Sequence, residues 1–210
     1  MNKNEQRQQR LRSLVHKLNQ DRKRQAQKMD LLCKDLIEAQ RNFIQRLGQV
    51  SFAAGFYKSL LGVTDLHDLL DLSGRHLRDL WPDVSATFFL KQMEGFRQYR
   101  INSYDEWNKN AERLEHGFSD SLAETICRLG KACDQNDLLG LGFQASPSLL
   151  KSLSLMTLPL ITGPRCVGFV LIYRSGPHTL TEINVAQISQ ISQGLAQAIE
   201  SCEALSGFVP

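Results

Sequence analysis

The stretch that most restricts the fold is the last quarter of the chain, where two apolar runs flank a Gly-Pro turn and a long helical pattern follows. Residues 155–161 (Leu155-Met156-Thr157-Leu158-Pro159-Leu160-Ile161) and residues 166–173 are strand-length runs separated by Gly163-Pro164. Residues 179–200 then carry Ile183, Ala186, Gln187, Ser189, Ile191, Leu195, Ala198 and Ile199 on one helical face that includes several small residues. Strand, turn, strand and long helix commit this part of the chain to a mixed α+β layout. The run at 166–173, even counting Gly168, is the longest apolar run in the sequence. A bilayer span takes about 20 residues, so no transmembrane helix is expected.

The opposite end has a different character. Residues 5–50 contain no proline, and their only glycine is Gly48. Val15, Leu18, Met29, Leu32, Leu36, Ala39, Phe43 and Val50 recur at alternating steps of three and four, which is a heptad seam. The same register places Arg22, Gln25 and Arg46 on the seam, so a coiled coil through this helix is weak in its first half. At 1.5 Å per residue such a helix is roughly 65–70 Å long. A domain made from the rest of the chain cannot cover it, which predicts a partner helix and a parallel homodimer through residues 11–50 and the final helix, where Ala186, Gly194 and Ala198 allow close helix approach. Val15, Leu18, Met29, Leu32, Leu36 and Phe43 are the predicted dimerisation residues.

Charge follows the same division. The net charge of the chain is +3, but residues 1–50 carry twelve Lys/Arg against five Asp/Glu, and the remainder is net acidic. The basic helix admits a nucleic-acid contact through phosphates. Acidic residues Asp21, Asp30, Asp35 and Glu38 interrupt it, and aromatics are absent before Phe43, so a solvated dimer helix is the favoured reading. The amino terminus lacks the apolar segment of a secretory signal, and a cytoplasmic location with free thiols is expected for the five cysteines.

Between these ends, residues 49–62 read as a helix continuation or joint, with Gly55 and Gly62 weakening it. The expected division is a dimerisation helix at 1–50, a joint at 51–62 and one domain at 63–205. Thr64 or Asp65 caps a helix whose apolar face is Leu66, Leu69, Leu70, Leu77 and Leu80, ending before Pro82. Alternation predicts strands at 84–91 and 96–101 joined at Glu94-Gly95. Residues 102–118 read as a loop with a short helix. A helix from Ser119 or Asp120 ends at Gly130, a short strand lies within 131–134, a Gly-rich loop covers 138–147, and a helical turn covers 148–151.

Three segments in this order resemble the GAF domain family over about residues 63–203: the leucine-rich helix from Asp65 to Trp81, the Ser121 to Asp137 segment around Leu129-Gly130-Lys131, and Leu158-Pro159-Leu160-Ile161 through Val170 with Thr181-Glu182 opening the last helix. The resemblance implies an antiparallel sheet with the first and last helices on one face. It also implies a pocket on the other face, enclosed by the central helix and loops. Phe88, Phe89, Met93, Phe118, Cys127, Phe143 and Met156 supply its apolar lining. The implied role is a non-enzymatic sensor or adaptor that binds a small ligand or a signalling partner.

Known chemistries of the family find little support in the residues. Asn108-Lys109 is not followed by the Phe and Asp-Glu elements of cyclic-nucleotide-binding members, and there is no Cys-His pair of the kind bilin attachment uses. Cys127 and Cys133 lie near the region where free methionine sulfoxide reductases of this fold keep cysteines, but their surroundings do not match. A thiol enzyme and a nucleic-acid-associated regulator stand as the alternatives. Cys127 and Cys133 are read as core cysteines with no clear nucleophile between them. His16, His67, His76, His116 and His178 show no metal-ligand spacing, and no cofactor is identified.

Overall fold

The computed structural model describes residues 3–81, 84–101, 108–175, 180 and 182–206. The chain forms two compact units, one up to Val50 and one from Ser51 onward. Helix α1 (Lys3–Leu60) runs through both, so the expected joint at 51–62 is helical to Leu60, with the break at Gly62 (φ 83°). Gly55 does not interrupt it. Its helical cost of about 1 kcal/mol is offset because Phe52 and Phe56, one turn apart, are both buried.

In the first unit α1 has nothing of its own to pack on. Val15, Leu18, Met29, Leu32, Leu36 and Phe43 are all exposed, Leu36 to 69%. Ile37, Ile44 and Leu47, also exposed, flank the same stripe. At 100° per residue, the apolar face over residues 29–50 spans about 160°, broader than a bare heptad seam.

The second unit is built around a five-stranded antiparallel sheet of order β2-β1-β5-β4-β3. The strands are β1 (Val84–Lys91), β2 (Phe96–Ile101), β3 (Cys133–Asp134), β4 (Leu153–Thr162) and β5 (Arg165–Ser175). Strand β5 pairs with β1 from Leu90↔Gly168 to Val84↔Arg174 and with β4 from Thr162↔Arg165 to Leu153↔Ser175. Pro159 is tolerated in β4 because β3 covers that strand only at Met156 and Thr157, leaving the rest as an edge.

Each sheet face is covered. On one side the end of α1, helix α2 (Leu66–Leu80) and helix α7 (Glu182–Ser206) pack on Val84, Ala86, Phe88, Leu90, Met156, Leu158, Leu160, Val170 and Ile172. Asp65 caps α2 by accepting from the Asp68 N–H at 3.0 Å. On the other side lie α3 (Asn108–Glu115), α4 (Asp120–Leu129), α5 (Gln135–Gly140) and α6 (Pro147–Ser152). Ser119 caps α4, and Gly130 ends it in the left-handed conformation. Helices α5 and α6 fall in and beside the segment expected to be a loop; the reciprocal capping of Asp134 and Asp137 gives α5 its start.

Tyr57 explains a feature of the last helix. A Cβ on Gly194 would lie 2.1 Å from the Tyr57 ring, and the Tyr57 hydroxyl donates to the Gln190 carbonyl at 2.9 Å. The small residue expected to admit a second subunit at Gly194 is therefore used within the chain.

One polar cluster ties α3 to the sheet. Glu115 is only 2% exposed; its Oε1 accepts from the Thr87 hydroxyl (2.7 Å) and the Arg100 Nε (3.0 Å), and its Oε2 accepts from Arg100 Nη2. Removing the cation leaves a buried carboxylate without its counter-ion, the expensive way to break such a pair. Arg100→Leu is expected to cost about 3 kcal/mol in urea unfolding. The double variant Arg100→Leu, Glu115→Leu is expected to cost less than that single change, because no stranded charge remains.

Candidate functional site

The α3–α6 side of the sheet is where the site lies. At its centre the Phe89 and Phe169 rings, paired across β1 and β5, stack at 4.6 Å and 7°. Phe118 lies against both at 5.3 and 5.6 Å and against Phe143 at 4.6 Å. These rings fill the middle of this face. Helix α4 seats Leu122, Ala123, Ile126 and Cys127 beside them.

Of the residues expected to line a pocket, Phe89, Phe118, Cys127 and Phe143 come together in this cluster. Phe88 and Met156 do not: both point to the opposite face, among the side chains beneath α2 and α7. Successive strand residues alternate between faces, so Phe88 and Phe89 cannot share one. Met93 sits fully exposed between β1 and β2.

Open space lies at the margins of the aromatic cluster. One cleft of about 630 Å³, open to solvent, is lined by Lys91, Ser121, Glu124, Thr125, Cys127, Arg128, Gly130, Ile161, Pro164 and Cys166. It sits between the last turns of α4 and the turn joining β4 to β5. A second, of about 570 Å³, is lined by Arg113, Phe143, Gln144, Ala145, Ser146 and Leu149. Both volumes suit small molecules.

A β-bulge shapes the first cleft. Leu160 pairs with Gly168 but Ile161 pairs with Cys166, so Val167 is an extra residue on β5. Gly168 adopts φ 151°, and a Cβ there would meet the Phe89 carbonyl oxygen at 2.1 Å. The extra residue reverses the facing of everything before it. Val167 turns into the α2/α7 core, and Cys166 turns onto the α4 side, opposite Ile161.

There Cys166 and Cys127 line the same cleft, close enough for each to shift the other's ionisation. In its protonated form Cys166 donates to the Gly168 carbonyl at 3.1 Å. The Cys127 thiol brings the Cys166 pKa down to about 7 against the opposing effect of burial, with backbone hydrogen bonding at Gly168 and the Lys91 charge adding to it. Cys127 is pushed well up by Cys166 and by burial. Lys91 itself binds Glu124, at 2.7 Å to Oε1 and 3.0 Å to Oε2, and that hydrogen bond raises its pKa.

Cys133 is not part of this pair. Its Sγ donates to the Lys131 carbonyl at 3.5 Å, and burial raises its pKa. Cys127 and Cys133, expected as core cysteines, are both buried, and Cys166 as the neighbour of Cys127 was not anticipated. The available signal was Gly168, a lone glycine inside a strand and a common mark of a bulge.

The sheet order and the two helical layers make the second unit a GAF-like domain. It is similar to the GAF domain of a phosphoenolpyruvate-protein phosphotransferase from Coxiella burnetii (TM-score 0.59, 16% identity, 77% of this chain and 98% of that one). It is also similar to the GAF domain of a putative sensor histidine kinase from Pseudomonas syringae pv. tomato (TM-score 0.55, 15% identity, 81% and 99%). The GAF domain of the Acinetobacter phosphoenolpyruvate-protein phosphotransferase matches at TM-score 0.54 and 12% identity (76% and 98%). No family model matches the chain, and none of the curated proteins does. Among the described residues, no helix is long and apolar enough to cross a membrane.

Gly168→Ala is expected to lose at least about 3 kcal/mol in thermal unfolding, because the added methyl meets backbone rather than a movable side chain. Gly140→Ala is the control. Nothing lies within 4 Å of its Cβ position, so it is expected to be neutral or stabilising by up to about 1 kcal/mol.

Proposed function

We propose that this chain is a non-catalytic cytoplasmic sensor or adaptor of GAF type, a homodimer through α1 that couples a small ligand or a signalling partner to the geometry of its paired helices. The observation that carries this reading is a GAF-like unit continued, on one unbroken helix, by a segment whose apolar stripe is exposed. The likeness to the GAF domain of a putative sensor histidine kinase supports the signalling role.

The dimer rests on Met29, Leu32, Leu36 and Phe43, with Val15 and Leu18 extending it. The second half carries most of the association, because Arg22 and Gln25 interrupt the seam in the first. The ligand site is the cleft beside α4, with Phe89, Phe118, Cys127 and Phe143 in the apolar cluster behind it. Lys91, Ser121, Thr125 and Arg128 are its polar contacts. That mix suits a small molecule carrying polar or anionic groups.

Two measurements test this. Native mass spectrometry of the full chain is expected to show two subunits, with any co-purified small molecule retained. Sedimentation equilibrium is expected to show that Leu32→Asp, Leu36→Asp raises the dimer dissociation constant at least about a hundredfold, since the dimer then buries four carboxylates. Removing residues 1–28 is expected to leave it dimeric. A monomer at micromolar concentration would refute the dimer.

A further inference from the structure

The bulge at Gly168 brings together two sulfurs separated by 39 positions of sequence, at the edge of a cleft open to solvent. Their surroundings differ in a way that divides labour between them. Cys166 is half-buried and lines two adjoining clefts, whereas Cys127 is buried behind it on α4. The charged side chains lining those clefts are Lys91, Arg97, Glu124, Arg128, Arg165 and Glu203, four cations against two carboxylates. Arg165 is paired with Glu200 and Lys91 with Glu124; of these cations it is Lys91 whose charge favours a thiolate at Cys166. Both cysteines line the cleft proposed above as the ligand site.

We propose that Cys127 and Cys166 form a reactive dithiol site for small soluble disulfides, with Cys166 the attacking sulfur and Cys127 the resolving one. The Cys166 thiolate attacks one sulfur of the small disulfide. The S–S bond breaks, one thiolate leaves and takes up a proton, and a mixed disulfide remains on Cys166. Cys127 then gives up its proton and attacks the Cys166 sulfur, expelling the second small thiolate, which is protonated in turn. Two protein thiols are oxidised to one disulfide, and one small disulfide is reduced to two thiols. The new bond ties the end of α4 to the start of β5 across the cleft, so the oxidation state sets how far that cleft opens.

Accessibility assigns the order. A small disulfide reaches the half-buried Cys166 from solvent, while the buried Cys127 lines the same cleft and is placed to attack the sulfur held there. The environment also fixes a rate. Bringing Cys166 from its ordinary value to about 7 raises its thiolate fraction at pH 7 about fiftyfold, and the accompanying loss of nucleophilicity takes back about tenfold. A net gain of about fivefold remains over the same cysteine in an unstructured peptide.

The test uses the reduced full-length chain, oxidised glutathione as the probe, and peptide mapping without reductant. The wild type is expected to lose two hydrogens and to yield a peptide joined between residues 127 and 166. Cys127→Ser is expected to stop at one glutathionyl group on Cys166. The Cys166 rate at pH 7 is expected to exceed that of a synthetic peptide of residues 163–169 about fivefold, with a pH midpoint near 7. The proposal is overturned if Cys127 links to Cys133 instead, or if Cys166 and Cys127 are glutathionylated separately without joining. A Cys166 rate equal to that of the peptide also overturns it. Because wild-type mapping decides the linkage, the outcome does not depend on how well any variant folds.

Discussion

Strand β5 is paired with β4 from Arg165 to Ser175 and with β1 from Gly168 to Arg174, its apolar side chains are buried on both faces, and the rest of the second unit follows from that. A strand with neighbours on each side has no free edge, so its backbone groups are satisfied by β1 and β4. Its side chains then alternate between two apolar layers: Val170 and Ile172 go one way, and Phe169, Leu171 and Tyr173 go the other. Such a sheet must be covered by helices on both sides. The two coverings are not equivalent. One is made of long helices, α7 and the end of α1 with α2; the other is made of four short ones joined by turns. Two of the open clefts lie beside the short helices, and another of about 540 Å³ lies between the end of α1 and α7.

The same strand holds a rearrangement of facing. Regular alternation would bury Cys166 under α2 and α7, among aliphatic side chains. One extra residue at Val167 moves it to the α4 side, and only glycine permits the backbone approach at position 168. The site chemistry is thus a consequence of strand register. It does not come from a local sequence motif, which explains why no spacing between cysteines announces it.

How much could be read in advance divides along this line. The strands at 84–91 and 96–101, the cap at Asp65, the stop at Gly130 and the closing strand pair are local signals, and the structure places them where the sequence does. Tertiary information was needed elsewhere. Gly55 stays helical because Phe52 and Phe56 are buried, a fact about packing rather than propensity. Gly194 looked like a subunit contact and proves to be the seat of Tyr57, 137 positions earlier in the chain. Phe88 and Met156 were placed with the pocket on hydrophobicity alone, when alternation along β1 and the β4–β5 register assign them to the other layer. Buried Glu115 had no local signal at all, since its partners Thr87 and Arg100 come from two different strands.

The long helix joins these arguments. Forming a first helical turn is costly and extending it is cheap, and the end of α1 is already fixed by the burial of Phe52 and Phe56. The segment before Ser51 therefore extends a helix whose start has been secured elsewhere. That accounts for its being helical, but burial of its apolar stripe needs a different cause. Extension satisfies backbone groups only; Met29, Leu32, Leu36 and Phe43 remain in water, each giving up about 1.5–3 kcal/mol that a matching surface would return. In the proposed dimer a second copy of the same helix would supply that surface in register, with its own end fixed by the same two phenylalanines. In that proposed dimer a change that displaced Phe52 or Phe56 would remove the fixed end from which each helix extends, and association would weaken with it.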